Sequence, residues 1–152
     1  MLNRIIIADT SVLISLSNID ELSLLAKIYK NIVITPEVSA EFGEKLPEWI
    51  TVEEVTDKKK IRLLELELDL GEASAIALAI EEENSLLIID ERKGREIAKR
   101  MGLKITGILG VILKAKKEGV LDFIKPIIEN LEAAGFWISP KLKTMVLEKA
   151  DE

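Results

Sequence analysis

The chain has 152 residues, 48% hydrophobic and 32% charged, with a net charge of −6 and a pI near 4.9. That balance argues against a disordered chain, no apolar stretch approaches the ~18 residues of a membrane-spanning helix, and the N-terminus is too short and strand-like for a secretory signal, so the cytoplasm is the expected location. Cysteine and histidine are both absent, which excludes disulfides, zinc–thiolate sites and imidazole acid–base chemistry.

The apolar run from Ile5 to Ala8 reads as a strand covered on both faces. It ends on Asp9, followed by Thr10 and Ser11, at the carboxyl edge where open α/β sheets place their ligands. Capping of a following turn or helix by Asp9 or Ser11 is the structural alternative. Asn18 and Glu21 have capping-box spacing and predict the start of a helix over DELSLLAKIY. A short strand, NIVI, follows. Thr35 and Pro36 then start the helix PEVSAEF, which Gly43 ends. Pro47 to Val55 reads as a loop entering a short extended stretch. KKKIRLLELELDL reads as an amphipathic helix, and a slim, buried helix begins near Gly71, with Ala73, Ala75, Ala77 and Ala79. The strand SLLIID, the helix ERKGREIAKRM, the strand LKIT and the helix GILGVILKAKKEG come next, and two helices, around Pro126–Ala134 and Pro140–Lys149, close the chain. Strands alternating with helices predict an α/β fold with a central parallel sheet flanked by helices on both sides. With no repeat or linker, a single domain over 1–152 is expected, its C-terminal helices (about 121–149) packed on it.

Two buried-type strands deliver acids to one edge: Asp9 after the first, Asp90 and Glu91 after SLLIID. Glu37 and Glu41 share a face of their helix. The helix dipole accounts for Glu37, whereas Glu41 lies a turn further in. Asp69 and Glu72 have capping-box spacing, but Glu72 opens the most apolar helix of the chain. The acidic run at 81–83 reads as solvated. Thr106 and Gly107 precede a helix whose N-terminus is a natural phosphate site, with helix–strand packing as the alternative. Arg95, Lys114 and Lys116 or Lys117 are candidate phosphate contacts, though for each the reading as solvated surface is the stronger one. Both glycine-rich nucleotide fingerprints are absent. With no histidine or cysteine, a metal must be held by oxygen, which favours Mg²⁺ or Mn²⁺. The acidic balance argues against general affinity for nucleic acid, yet a carboxylate site is acidic by construction until metal fills it.

The ordered stretches ADTSVLI, TPEVSAEF, GEASAIALA, LLIIDERKGR and TGILGVILKAKKEG resemble PIN-domain proteins, and most of all the subgroup related to VapC-type toxins. The likeness runs from Asp9 to about Leu142. It implies a PIN-like fold and a metal-dependent ribonuclease whose catalytic acids are Asp9, Glu41, Glu72 and Asp90. Asp9, Glu72 and Asp90 would hold Mg²⁺ or Mn²⁺, with Thr10, Ser11 and Glu91 auxiliary and Arg95, Thr106 and Gly107 near the substrate phosphate. By the same resemblance the substrate is RNA, the partner a small antitoxin protein, and a homodimer is expected. Two departures stand out: many members carry Asp where this chain has Glu72, and many have Thr-x-Asp after the later strand. The choice between Asp90 and Glu91 therefore stays open, as does a catalytically inactive PIN-like module that binds nucleic acid or protein. The chemistry agrees independently, because paired metal ions held by carboxylates can activate water and stabilise both oxygens of a phosphodiester displacement. Aspartate-nucleophile phosphatases need D-x-D, and Ser11 stands at the second position.

Overall fold

The computed structural model describes residues 4–152. Five strands form one all-parallel sheet: β1 (Ile5–Ala8), β2 (Ile32–Ile34), β3 (Ile50–Val52), β4 (Ser85–Ile88) and β5 (Ile105–Thr106), in the order β3-β2-β1-β4-β5. From β1 the chain steps outward through β2 to β3, then returns to β4 on the other side of β1 and continues to β5. Right-handed crossovers in opposite directions put connecting helices on both faces and open a crevice at the switch between β1 and β4. The register there runs from Ile5 opposite Ser85 to Ala8 opposite Ile88, so Asp9 leaves the sheet level with Ile89.

Nine helices among the described residues cover the sheet. The first, α1 (Thr10–Asn18), starts directly after Asp9 and buries Val12, Leu13 and Leu16. Its length corrects the expectation that Asn18 opens a helix, because Asn18 is its last residue. Asp20 then turns the chain with φ 57°, and α2 (Leu24–Tyr29) begins after Ser23 without a side-chain cap. The short apolar run VLISL fits strand and helix alike, and burial at helical spacing decides it.

Helix α3 (Pro36–Phe42) starts as expected: Thr35 accepts the Val38 amide, and Gly43 ends the helix at φ 70°. The stretch expected as one amphipathic helix, KKKIRLLELELDL, stops early. It is helical as α4 (Lys58–Leu64), capped by Asp57, and turns through residues 65–69. The alternation in LELELDL explains the break, since no helical face collects its leucines: Leu68 is buried while Leu63 and Leu66 are exposed. Helix α5 (Leu70–Glu81) buries nine successive residues, Gly71 to Ala79. A helix apolar all round belongs inside, and its alanines let α3, α4, α6 (Arg92–Arg100), β1 and β4 approach closely. Helices α7 (Ile108–Lys117), α8 (Lys125–Ala133) and α9 (Pro140–Lys149) complete the layers. No helix among the described residues is long and apolar enough to cross a membrane.

Candidate functional site

Asp9 stands in the N-cap position of α1 but makes no capping bond with its side chain. Its Oδ2 accepts a hydrogen bond from the Ser11 hydroxyl at 3.1 Å. Its Oδ1 is buried without a partner, and the residue is only 2% exposed. Burying an unpaired carboxylate is unfavourable. Desolvation accordingly pushes the carboxyl up to about 6, opposed by the Thr10 backbone amide and the Ser11 hydroxyl and reinforced by the Asp69 and Glu41 charges. Capping therefore does not account for Asp9.

Glu72 lies in the first turn of α5, where the Asp69 side chain accepts its amide at 3.0 Å. The Glu72 residue is buried, and its Oε2 has no partner. Burial, followed by the charges of Asp69, Asp9 and Glu91, pushes this carboxyl up to about 8. A Cβ built on Gly94 would lie 2.9 Å from Glu72 Oε2 and 2.8 Å from Ile89 Cδ1. The missing side chain at position 94 is thus what makes room for the longer acid.

Glu41 performs a different task. Its Oε1 accepts the Thr10 hydroxyl at 2.6 Å and its Oε2 the Gly71 amide at 3.0 Å. One carboxylate thereby ties α3 to the starts of α1 and α5. A Cβ on Gly71 would collide with Glu41 Oε1 and approach Thr10 Oγ1 to 2.8 Å. The amide at a helix N-terminus is a favourable partner for an anion.

These groups line one cavity of about 200 Å³ at the switch between β1 and β4. Its walls are Asp9, Glu41, Asp69, Glu72 and Glu91 with Thr10, Ser11 and Ile14, five carboxylates and no cationic side chain. Asp90 is elsewhere. Both its oxygens accept the Ile108 amide, at 3.2 and 3.1 Å, and burial raises its carboxyl above the usual range. It therefore caps α7, while Glu91 caps α6 by accepting the Gly94 amide at 3.0 Å. Alternation along the extended chain explains the split: Ile89 and Glu91 point to one side and Asp90 to the other.

Of the acids expected at the site, Asp9, Glu41 and Glu72 meet in the cavity together with Glu91, and Asp90 does not line it. Arg95, Thr106 and Gly107 line the next groove along with Asp90. A phosphate on the α7 N-terminus would have to displace the Asp90 carboxylate, so the helix-terminus reading of Thr106 and Gly107 does not fit. Asp69 enters the cavity unforeseen. Its capping-box spacing to Glu72 was the available signal, because a cap three residues before a buried acid shares its rim.

The donor set suits a hard, oxygen-loving cation. Among the described residues no three carboxylates are grouped closely enough to grip one ion as they stand. Mg²⁺ is nevertheless typically held by one or two carboxylates and several waters, and Asp9 and Glu72, each with an unpartnered buried oxygen, line the same cavity. No curated protein and no solved structure matches the chain significantly. Residues 5–152 match the family DUF3368, described as a PIN domain, and the chain therefore belongs to this PIN-domain family.

Proposed function

We propose that this protein is a divalent-metal-dependent endoribonuclease whose catalytic centre is the five-carboxylate cavity. PIN domains are generally nucleases. The observation that carries the reading here is the pair of buried acids, Asp9 and Glu72, each with an oxygen left unpartnered. Two such groups in one cavity without a cationic side chain are unfavourable for the fold alone and well suited to an ion. Asp9 and Glu72 would hold Mg²⁺ or Mn²⁺, and Glu91 replaces Asp90 as the acid contributed after β4.

When bound, the cation neutralises a phosphate, lowers the pKa of a water and stabilises the leaving oxygen. The chain's own residues prepare the place. Ser11 holds Asp9 Oδ2 and so directs Oδ1 toward the cavity. Glu41 fixes Thr10 and Gly71, which sets the separation of Asp9 and Glu72. Asp69 and Glu91 would supply negative charge at the rim, where they can accept hydrogen bonds from water or take up a proton. The resemblance to VapC-type toxins supports a setting in a toxin–antitoxin pair in the cytoplasm, with a small antitoxin protein as partner and a homodimer as the assembly.

The test pairs calorimetric titration with Mn²⁺ against cleavage of a labelled single-stranded RNA. Saturable binding together with metal-dependent cutting supports the reading, and both should be lost in Asp9→Asn and Glu72→Gln. A second reading, an inactive PIN-like binding module, draws on the absence of a ready three-carboxylate grouping. It expects RNA to remain intact at every metal concentration, and that result would replace the nuclease reading.

A further inference from the structure

Next to the acid cavity lies a larger groove of about 560 Å³, whose lining includes Arg95, Phe136, Trp137, Leu142 and Lys149. The two are separated by one chain segment, Asp90 lining the groove and Glu91 the cavity. A third hollow of about 250 Å³ shares Phe136 and Trp137 and reaches Ser15 on α1, whose neighbour Ile14 lines the acid cavity. Both hollows at Trp137 thus border residues adjacent in sequence to ones that line the acid cavity.

We propose that this groove is the subsite for the nucleotide adjoining the scissile phosphate of a single-stranded RNA, with the base stacked on the Trp137 indole and a phosphate held by Arg95 and Lys149. The proposal rests on the nuclease reading above.

Trp137 is 80% exposed, on the loop that follows Gly135, where φ is 101°. Its neighbour Phe136 packs against the core and anchors the loop. An anchored, solvent-facing indole is the platform on which bases stack irrespective of sequence. Charge selects the occupant. The acid cavity repels a polyanion, so attraction must come from beside it. Arg95 and Lys149 line the groove, and neither forms a salt bridge among the described residues. One N–H of Arg95 donates to the Ile89 carbonyl at 2.7 Å, which fixes the guanidinium fork and leaves its other donors for a phosphate. Asp90, held by the Ile108 amide, lies within electrostatic reach of Arg95 and offsets part of its charge, so Lys149 carries the larger share of the attraction.

The chain has two tryptophans, so Trp49→Phe makes Trp137 the sole indole reporter. In that background with Asp9→Asn added to prevent cleavage, a single-stranded RNA oligonucleotide titrated in the presence of Mg²⁺ should quench the emission saturably. Read by the anisotropy of an end-labelled RNA, since no indole remains, Trp137→Phe should bind within a few-fold of the parent, and Trp137→Ala should bind roughly 5- to 150-fold more weakly, the loss of one base stack. Made in the wild-type background with Asp9 in place, Trp137→Ala should keep the Mn²⁺-induced rise in melting temperature, which shows that fold and acid cavity are intact. RNA binding that leaves the Trp137 emission unchanged overturns the subsite, and so does undiminished binding by Trp137→Ala. Emission that shifts only with protein concentration and ignores RNA also overturns it and assigns the face to a second copy of the chain. The two readings fail separately. Quenching by RNA in a wild-type protein that cuts nothing keeps the groove and removes catalysis, whereas cutting that is indifferent to Trp137 does the reverse.

Discussion

Replacing Asp9 by asparagine in the metal-free protein should stabilise the fold, by an amount that depends on pH. Burial raises this carboxyl from 3.8 to about 6. An acid whose folded value lies above its unfolded value binds more protons when folded across that interval, so stability falls as pH rises through it. The penalty is absent well below 3.8, grows between the two values and is complete above about 6. At about 1.36 kcal/mol per tenfold change in the protonation equilibrium, it amounts to about 3 kcal/mol at pH 7.5, about 1.6 at pH 5 and about 0.5 at pH 4. Asparagine keeps the shape and the Ser11 partner but carries no charge, so its advantage over the wild type should trace the same curve. Asp9 is also among the charges that raise Glu72, which adds in the same direction. The measurement is urea unfolding of both proteins with chelator present at each pH. In melting temperature the difference at pH 7.5 should be about 6–12 °C for a chain of this size. A difference that is flat between pH 4 and pH 7.5, or an asparagine variant less stable at pH 7.5, refutes the idea that Asp9 is an unpaired buried charge.

Mn²⁺ should raise the melting temperature of the wild type at neutral pH, by an amount corresponding to about 2.7 kcal/mol at a hundredfold excess over Kd, and calorimetry on Glu72→Gln should show little of it. Gly71→Ala should lower both stability and RNA cleavage, because the added methyl collides with the Glu41 carboxylate. Moving that carboxylate breaks its bonds to the Thr10 hydroxyl and the Gly71 amide, a loss of about 1.5–3 kcal/mol for each bond to a charged group against a helix-propensity gain of about 1 kcal/mol, so a more stable and fully active Gly71→Ala would contradict the geometry. Asp90→Ala should lose about 1 kcal/mol of stability through the freed Ile108 amide while its Mn²⁺ affinity, read by calorimetry, stays within a few-fold. Glu91→Gln should behave oppositely, with weaker Mn²⁺ binding.

The sheet was legible because its strands are short apolar runs that stop on polar residues. Ile5–Ala8 and Ser85–Ile88 lie side by side in the structure, and the acids after them mark the same edge. The alanine-rich helix was equally plain, since small residues at successive positions leave burial as the simple explanation. What escaped depends on relations that a linear reading does not carry. Asn18 and Glu21 have capping-box spacing, but the packing of Val12, Leu13 and Leu16 extends α1 over the position where the box would form. Asp69 reads as a cap and is one, and only the fold shows that the same residue also lines the acid cavity. Asp90 and Glu91 are adjacent in sequence and separate in space. A reading by type cannot choose between them, whereas the level of Asp9 against Ile89 together with alternation along the chain can.

Two glycines explain how so many acids fit in so little space. Position 71 must lack a side chain for Glu41 to reach both Thr10 and the start of α5, and position 94 must lack one for Glu72 to extend beside Ile89. A side chain as long as glutamate at position 72 need not push its carboxylate out of the cavity if the opposing helix gives way by one Cβ. Glu72 and Gly94 then form a matched pair across the α5–α6 contact. Filling position 94 alone would force the glutamate to move, and shortening position 72 alone would withdraw the carboxylate and open a void against Ile89. Each change should therefore harm metal binding by itself, whereas Glu72→Asp combined with Gly94→Ala should recover part of the loss, as coupled neighbours do in a double-mutant cycle. The cavity is in this sense held open by what α5 and α6 omit as much as by the acids they contribute.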